Sequence, residues 1–357
     1  AQQRNIEQGT EERNHCRDGL SQNADNRMLT FRPETSAKAR TMPDYLLVED
    51  PDSISAALAD ADCLGVDTEF MRERTYNAEL CLVQVAASGR IYCVDPLEAP
   101  AMDSFWGVLL DTSWVLHSGR QDIEVVYQTA GRMPREVFDT QVAAGLLGHP
   151  PQMGYANLVR ELFDVEIPKS HTRADWSRRP LTDALLGYAA EDVEYLLPAR
   201  DKLAAGLEAA GRLNWAVEDS ALLLDEGLYS TDPATAIDRL KGARNMRGRR
   251  RAAAVRLATW REREAQRANR PRQWIVRDAA LVELASQLPE SMADLEKIDG
   301  LAPGLIRRAG RQLLNEIGAS ADDETAYRPP APPSDAQKAG VKKLQSAVAA
   351  RADELGI

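Results

Sequence analysis

Long apolar runs are missing from this chain of 357 residues. None approaches the roughly 18 to 20 residues that a membrane-spanning helix needs, and the polar opening stretch has no apolar signal-peptide core. The chain is therefore expected in the cytoplasm with no membrane partner. Cysteine is scarce: Cys16, Cys63, Cys81 and Cys93 show no paired C-x-x-C spacing, and Cys81 and Cys93 fall in strand-like segments. They are expected as reduced thiols, not metal ligands. No glycine-rich phosphate loop ending in Gly-Lys-Ser/Thr is present, so the chain is not itself a helicase. Positive charge is also short overall, since 44 Lys and Arg against 55 Asp and Glu leave −11.

What is present is segregated. Between Lys241 and Arg277, thirteen Lys and Arg face two Glu, a local charge of +11, which leaves the remainder at about −22. A basic stretch of this kind is the footprint of phosphate binding, with Arg247, Arg249, Arg250 and Arg251 as candidate contacts. The alternative is a solvated helix face, because Arg261-Glu262-Arg263-Glu264 allows internal pairing.

Four acids carry the chemistry. Asp67 and Glu69 lie two apart in an apolar strand-like run, so both carboxylates leave the same face. Tyr188 and Asp192 lie four apart in a stretch from Asp183 to Leu197 whose apolar spacing predicts a helix, so they share one helix face. Asp122 opens a further helical pattern, just after the strand-like Trp114-Val115-Leu116. Hard divalent cations prefer carboxylate oxygens, and two of them roughly 3.5 to 4 Å apart stabilise both oxygens of an in-line phosphoryl displacement. Without cations, four crowded acids would repel one another. Tyr188, one turn from Asp192, suits the task of orienting a nucleophilic water. Taken singly, each residue has a plainer reading: a solvated strand pair, a helix N-cap at Asp122, a core tyrosine, a surface aspartate. The set, in order and in strand, strand-to-helix and helix contexts, is what points to a site for two metal ions.

The segments DTEFMRERTY, LCLVQVA, IYCVDPL, HSGRQDIEVV, FDTQVAAGLL, DWSRRPLT and YAAEDVEYLLP resemble the bacterial ribonuclease D family, in the tyrosine-bearing DEDDy branch of the 3′-to-5′ exonucleases. The similarity runs from about residue 43 to 317. It implies Asp67, Glu69, Asp122 and Asp192 as ligands of two divalent ions, Mg2+ or Mn2+, with Tyr188 as the fifth catalytic residue. It also implies digestion of RNA from a free 3′ end, with release of 5′-mononucleotides and tRNA precursors as the expected partner. The implied fold is an α/β ribonuclease-H-like exonuclease domain, a mixed sheet flanked by helices, followed by an all-α HRDC domain. Two other readings stay open: a DNA 3′-to-5′ exonuclease, and a non-catalytic RNA-binding module.

Composition divides the chain into a polar extension (1–42), the exonuclease domain (43–212), a helical connector (213–246), the HRDC domain (247–317), a Pro-rich linker (318–334) and a segment (335–357) resembling the start of a second HRDC copy. Strands are expected near 64–70, 80–87, 90–94 and 114–117. In the helical domain, amphipathic stretches are expected at 252–264, 278–287 and 303–317. A monomer is expected. His117, Gln84, Arg178 and Arg179 lie near the acidic motifs and are candidate RNA contacts. Asp95 and Asp139 read as turn and cap residues.

Overall fold

The computed structural model describes residues 43–168, 174–243, 245–319, 327 and 331–357. The extension expected at 1–42 and residues 320–326 and 328–330 of the Pro-rich linker lie outside them. Six strands form one sheet: β1 (Tyr45–Val48), β2 (Cys63–Met71), β3 (Glu79–Ala87), β4 (Arg90–Val94), β5 (Ser113–Leu116) and β6 (Val137–Asp139), in the order β1-β4-β3-β2-β5-β6. The β4-β3-β2 unit is antiparallel, and β1, β5 and β6 add in parallel to their neighbours. The sheet is therefore mixed, as the resemblance implied. β1 and β6, both at its edges, are too short for alternation to announce them.

Among the described residues, eight helices surround the sheet: α1 (Ser55–Ala59), α2 (Asp103–Asp111), α3 (Arg120–Ala130), α4 (Thr140–Leu146), α5 (Tyr155–Phe163), α6 (Asp183–Glu194), α7 (Leu196–Ala209) and α8 (Leu213–Ala221). Alternation along β2 assigns its two faces. Leu64 and Val66 enter a core with Phe105, Leu109 and Ile123 of α2 and α3. The opposite face, where Leu82, Ala86 and Cys93 line the neighbouring strands, is covered by Leu186, Ala189, Ala190 and Val193 of α6. Gly65 lets α7 approach: a Cβ there would stand 3.2 Å from the Leu196 Cβ. The single helix expected from Asp183 to Leu197 divides at Tyr195. Pro198 accounts for the break, because in a continuous helix it would lack a donor and its ring would strike the carbonyl four residues back. Tyr195 N donates instead to the Tyr155 hydroxyl at 2.9 Å.

The connector is regular only in α8. Beyond it, the chain runs through short three-ten turns in which Asp225 and Asp232 accept hydrogen bonds from the amides two residues on. Its burial is split: Leu223, Leu224 and Tyr229 pack on the exonuclease core, whereas Ala236, Ile237 and Leu240 belong to a second core. The two cores thus part between Tyr229 and Pro233. The second core is built by α9 (Gly248–Arg267), α10 (Arg272–Ile275), α11 (Asp278–Gln287), α12 (Met292–Leu295) and α13 (Pro303–Gly318), with Leu257, Leu281, Leu284, Leu295 and Leu313 fully buried. Segment 335–357 is one helix, α14 (Asp335–Leu355), opened by a Ser334–Gln337 capping box and burying no residue. Its C-terminal carbonyl at Leu355 accepts from Arg212 at 2.6 Å, and the same guanidinium donates to Leu146 at the end of α4.

A latch joins the two domains. Asn269, at the end of α9, accepts from the amides of Tyr76 and Asn77 at 3.0 and 3.1 Å. The Tyr76 hydroxyl donates to buried Glu262, which also binds Arg272. No helix among the described residues is long and apolar enough to cross a membrane.

Candidate active site

The site is assembled by three neighbouring stretches of backbone. β2 presents Asp67 and Glu69 on the face toward α6. α6 begins at Thr182, whose hydroxyl accepts from Leu185 N, and its buried flank fixes the rotation that turns Tyr188 and Asp192 to the acids. The carboxylate oxygens of Asp67, Glu69 and Asp192 come within 4.8 Å of one another. Tyr188 donates its hydroxyl to Asp192, and its ring leans on Trp176 with centroids 6.2 Å apart.

Asp122 arrives from the other side of β2. It is not the N-cap of α3; that position is Gly119, and Asp122 sits buried in the first turn. Thr68, between the two strand acids but pointing to the opposite face, donates its hydroxyl to Asp122 Oδ1 at 2.5 Å. The turn that delivers Asp122 is held by Asp139, which accepts from Ser118 N and Gly119 N at 3.0 and 2.9 Å while capping α4. Ser118 adopts φ +61°, and a Cβ on Gly119 would fall 2.7 Å from the Leu116 Cβ. Asp122 stands beside the three-acid cluster and repels it, raising the proton affinity of both Asp67 and Glu69.

Every acid is shifted in the same direction. Burial is the main cause and the neighbouring carboxylates add to it: Asp67 lies well above the usual carboxylate range, Glu69 is pushed up to about 8 and Asp192 to about 7. Asp122 rises to about 6, restrained by the Thr68 hydrogen bond. Burial and the surrounding carboxylates push the Tyr188 hydroxyl up as well, so it remains a donor at neutral pH. Such crowding is unfavourable for the charged forms and fits a divalent cation, whose charge inverts that local preference. The donor set, all carboxylate oxygen, suits a hard ion.

The expected RNA contacts fare differently. Arg179 is committed to the protein: it pairs with Asp95 and donates to Cys81 O, Trp176 O and Arg178 O, clamping the loop before α6 to the sheet. Asp95, read as a turn residue, does bind Leu97 N but is also the partner of that clamp. Arg178 is largely exposed and pairs with Asp175. His117 has both ring nitrogens engaged, with Thr140 Oγ1 and Met153 O. Gln84 has no exposed surface and stands across the ladder from Asp67. Of the basic stretch, Arg247, Arg249 and Arg250 are exposed and Arg251 is half-buried, whereas Arg256, Arg261 and Arg272 hold the helical domain together. Thr68 and the full role of Asp139 were not evident from sequence. The signal for Thr68 was available: the middle residue of Asp-x-Glu must face away from the acids and toward α3.

Fold and site together define a 3′-5′ exonuclease carrying an appended helical domain. The chain matches the 3′-5′ exonuclease family over residues 48–208 and the HRDC domain family over residues 250–317. It is 40% identical over 289 residues to a ribonuclease D of Gluconacetobacter diazotrophicus, covering 78% of this chain and 72% of that one. A ribonuclease D of Acidiphilium cryptum is 40% identical over 318 residues, with coverages of 85% and 80%. The crystal structure of Escherichia coli RNase D, described as an exoribonuclease involved in structured RNA processing, superposes with a TM-score of 0.77 at 30% identity, covering 88% of this chain and 86% of that one. The catalytic core of RRP6 from Trypanosoma brucei, at 21% identity and a TM-score of 0.60, shares the fold. The chain belongs to the ribonuclease D family and is a 3′-to-5′ exoribonuclease.

Proposed function

We propose that the enzyme trims the 3′ ends of structured RNAs such as tRNA precursors, one 5′-mononucleotide at a time, using two divalent cations, Mg2+ or Mn2+, at Asp67, Glu69, Asp122 and Asp192. The observation that carries this reading is the convergence of Asp67, Glu69 and Asp192 within 4.8 Å in a setting that disfavours their charge. Bound there, the ions would supply Lewis-acid stabilisation of the attacking and leaving oxygens. Tyr188 directs its hydroxyl hydrogen to Asp192, which leaves its lone pairs to accept from a water and align it with the terminal phosphodiester. Thr68 keeps Asp122 in place, and Asp139 keeps the turn below it from relaxing.

The helical domain holds the body of the substrate. Arg249, Arg250 and Arg251 open α9, whose first turn contains no acid. Arginine is disfavoured there by the positive end of the helix dipole, so the cluster concentrates positive potential in a way that suits polyanion binding. The structured RNA handled by the E. coli relative supports the same substrate class. A monomer acting in the cytoplasm completes the reading. Burial raises the thiols of Cys81 and Cys93 to about 11 and about 12, which suits unreactive cysteines in a reducing compartment. The test is digestion of end-labelled RNA and DNA of matched sequence, with products resolved over time. RNA shortened from its 3′ end with mononucleotide release is expected; equal DNA turnover or 5′ shortening would overturn it.

A further inference from the structure

Gln84 occupies the middle of β3 with no exposed surface, and both its amide Oε1 and its Nε2 are buried without a hydrogen-bond partner among the described residues. The register places it directly opposite Asp67 on β2 and opposite Cys93 on β4. Side chains so paired share a face, with Cβ atoms about 4.5 to 5.5 Å apart. The amide therefore lies on the floor of the acidic cluster, beneath α6 and otherwise among apolar neighbours such as Leu82, Ala86 and Ala189.

In the unfolded chain this amide is hydrated, so leaving both ends unpaired in the core weakens the fold, whereas methionine or leucine at the same site would not. A group retained at such a cost is expected to find its partner in a state other than this one. The polar side chain across the ladder is Asp67, a carboxylate with more lone-pair sites than metal ligation uses. We propose that Gln84 is a positioning residue for the metal site: its Nε2 donates to an Asp67 carboxylate lone pair not used in ligation, fixing the carboxylate's rotation toward the metal site. Metal-ligating side chains are commonly oriented in this way by a second hydrogen bond, and loss of that bond weakens metal binding about 10- to 100-fold. The inference rests on the metal reading given above.

The test uses the full chain, with Mn2+ as the probe. Calorimetric titration of the wild type comes first: absence of Mn2+ binding would sink the metal reading itself. Given binding, Gln84→Met is expected to weaken Mn2+ affinity about tenfold or more, to lower kcat with KM nearly unchanged, and to raise the Tm of the metal-free protein because the unpaired amide is gone. Affinity within twofold of wild type would show an idle core amide and overturn the proposal. So would a metal-free Tm that falls together with affinity, which would make the residue a packing element. Gln84→Leu decides by the same criteria if the methionine variant does not fold; failure of both to fold would mark the amide as structural and end the proposal.

Discussion

The β2–α6 acids and the opening turn of α9 both crowd charges of one sign, yet they do so in different media. Asp67, Glu69 and Asp192 are gathered against the sheet, where burial raises the proton affinity of each. Arg247, Arg249 and Arg250 stand in water, where repulsion is screened within about 10 Å and costs little. Buried crowding calls for a compact, multivalent counter-charge with fixed ligand geometry, and exposed crowding for a long, flexible one. On the proposed reading, a divalent ion answers the first and an RNA backbone the second, with the chemistry in one domain and affinity spread over the other.

The largest effects should come from the acids. Asp67→Asn, Glu69→Gln, Asp122→Asn and Asp192→Asn are each expected to lower kcat by about 10²-fold or more. The metal-free Tm should not fall in Asp67→Asn or Glu69→Gln, because repulsion is relieved; wild-type turnover in any variant would remove that residue from the site. Next comes Tyr188→Phe, expected to lower kcat by about 10²-fold with calorimetric metal affinity almost unchanged. A collapse of affinity would instead make the tyrosine part of the cage.

A third test separates buried from exposed crowding by pH. Asp122, Asp192 and Glu69 have folded-state pKa values of about 6, 7 and 8, above their unfolded values near 4. Between those limits the folded protein holds more protons than the unfolded chain, so stability falls as pH rises through this window. In chelator, the Tm should decline from pH 5 to pH 8, and saturating Mg2+ should abolish the decline; a flat profile in chelator would contradict the electrostatic account. The smallest effect concerns the arginines. Arg249→Ala and Arg250→Ala should each flatten the dependence of log K on log salt by about 0.7 to 0.9 for a tRNA-like ligand, leaving kcat on short RNA intact. An unchanged slope would return them to the class of solvated helix residues.

Much of the acidic cluster was legible because its side chains come from regular elements. A period of two placed Asp67 with Glu69, and a spacing of four placed Tyr188 with Asp192. The helical domain was equally readable: the expected 278–287 stretch is α11 to the residue, and the others differ only at their ends. What escaped was long-range and polar. Nothing local says that Arg179 will reach across 84 residues to Asp95, or that Thr68 will bind Asp122 54 residues away. A surface arginine and a clamped one look alike until the fold brings an acid beside them. The connector's split burial was hidden for a related reason: the same helix-like composition is shared between two cores.

The latch at Tyr76 has a geometric meaning of its own. The loop it grips leaves β2 directly, a few residues beyond Glu69, and is bound at its backbone and its hydroxyl by the far end of α9. The same helix carries the arginines at its other end. The spacing between the latched loop and those arginines is then set by the rise of one helix, about 1.5 Å per residue over its 20 residues. On the proposed reading of those arginines as RNA contacts, the length of α9 sets how far beyond the latched loop the hold on RNA begins.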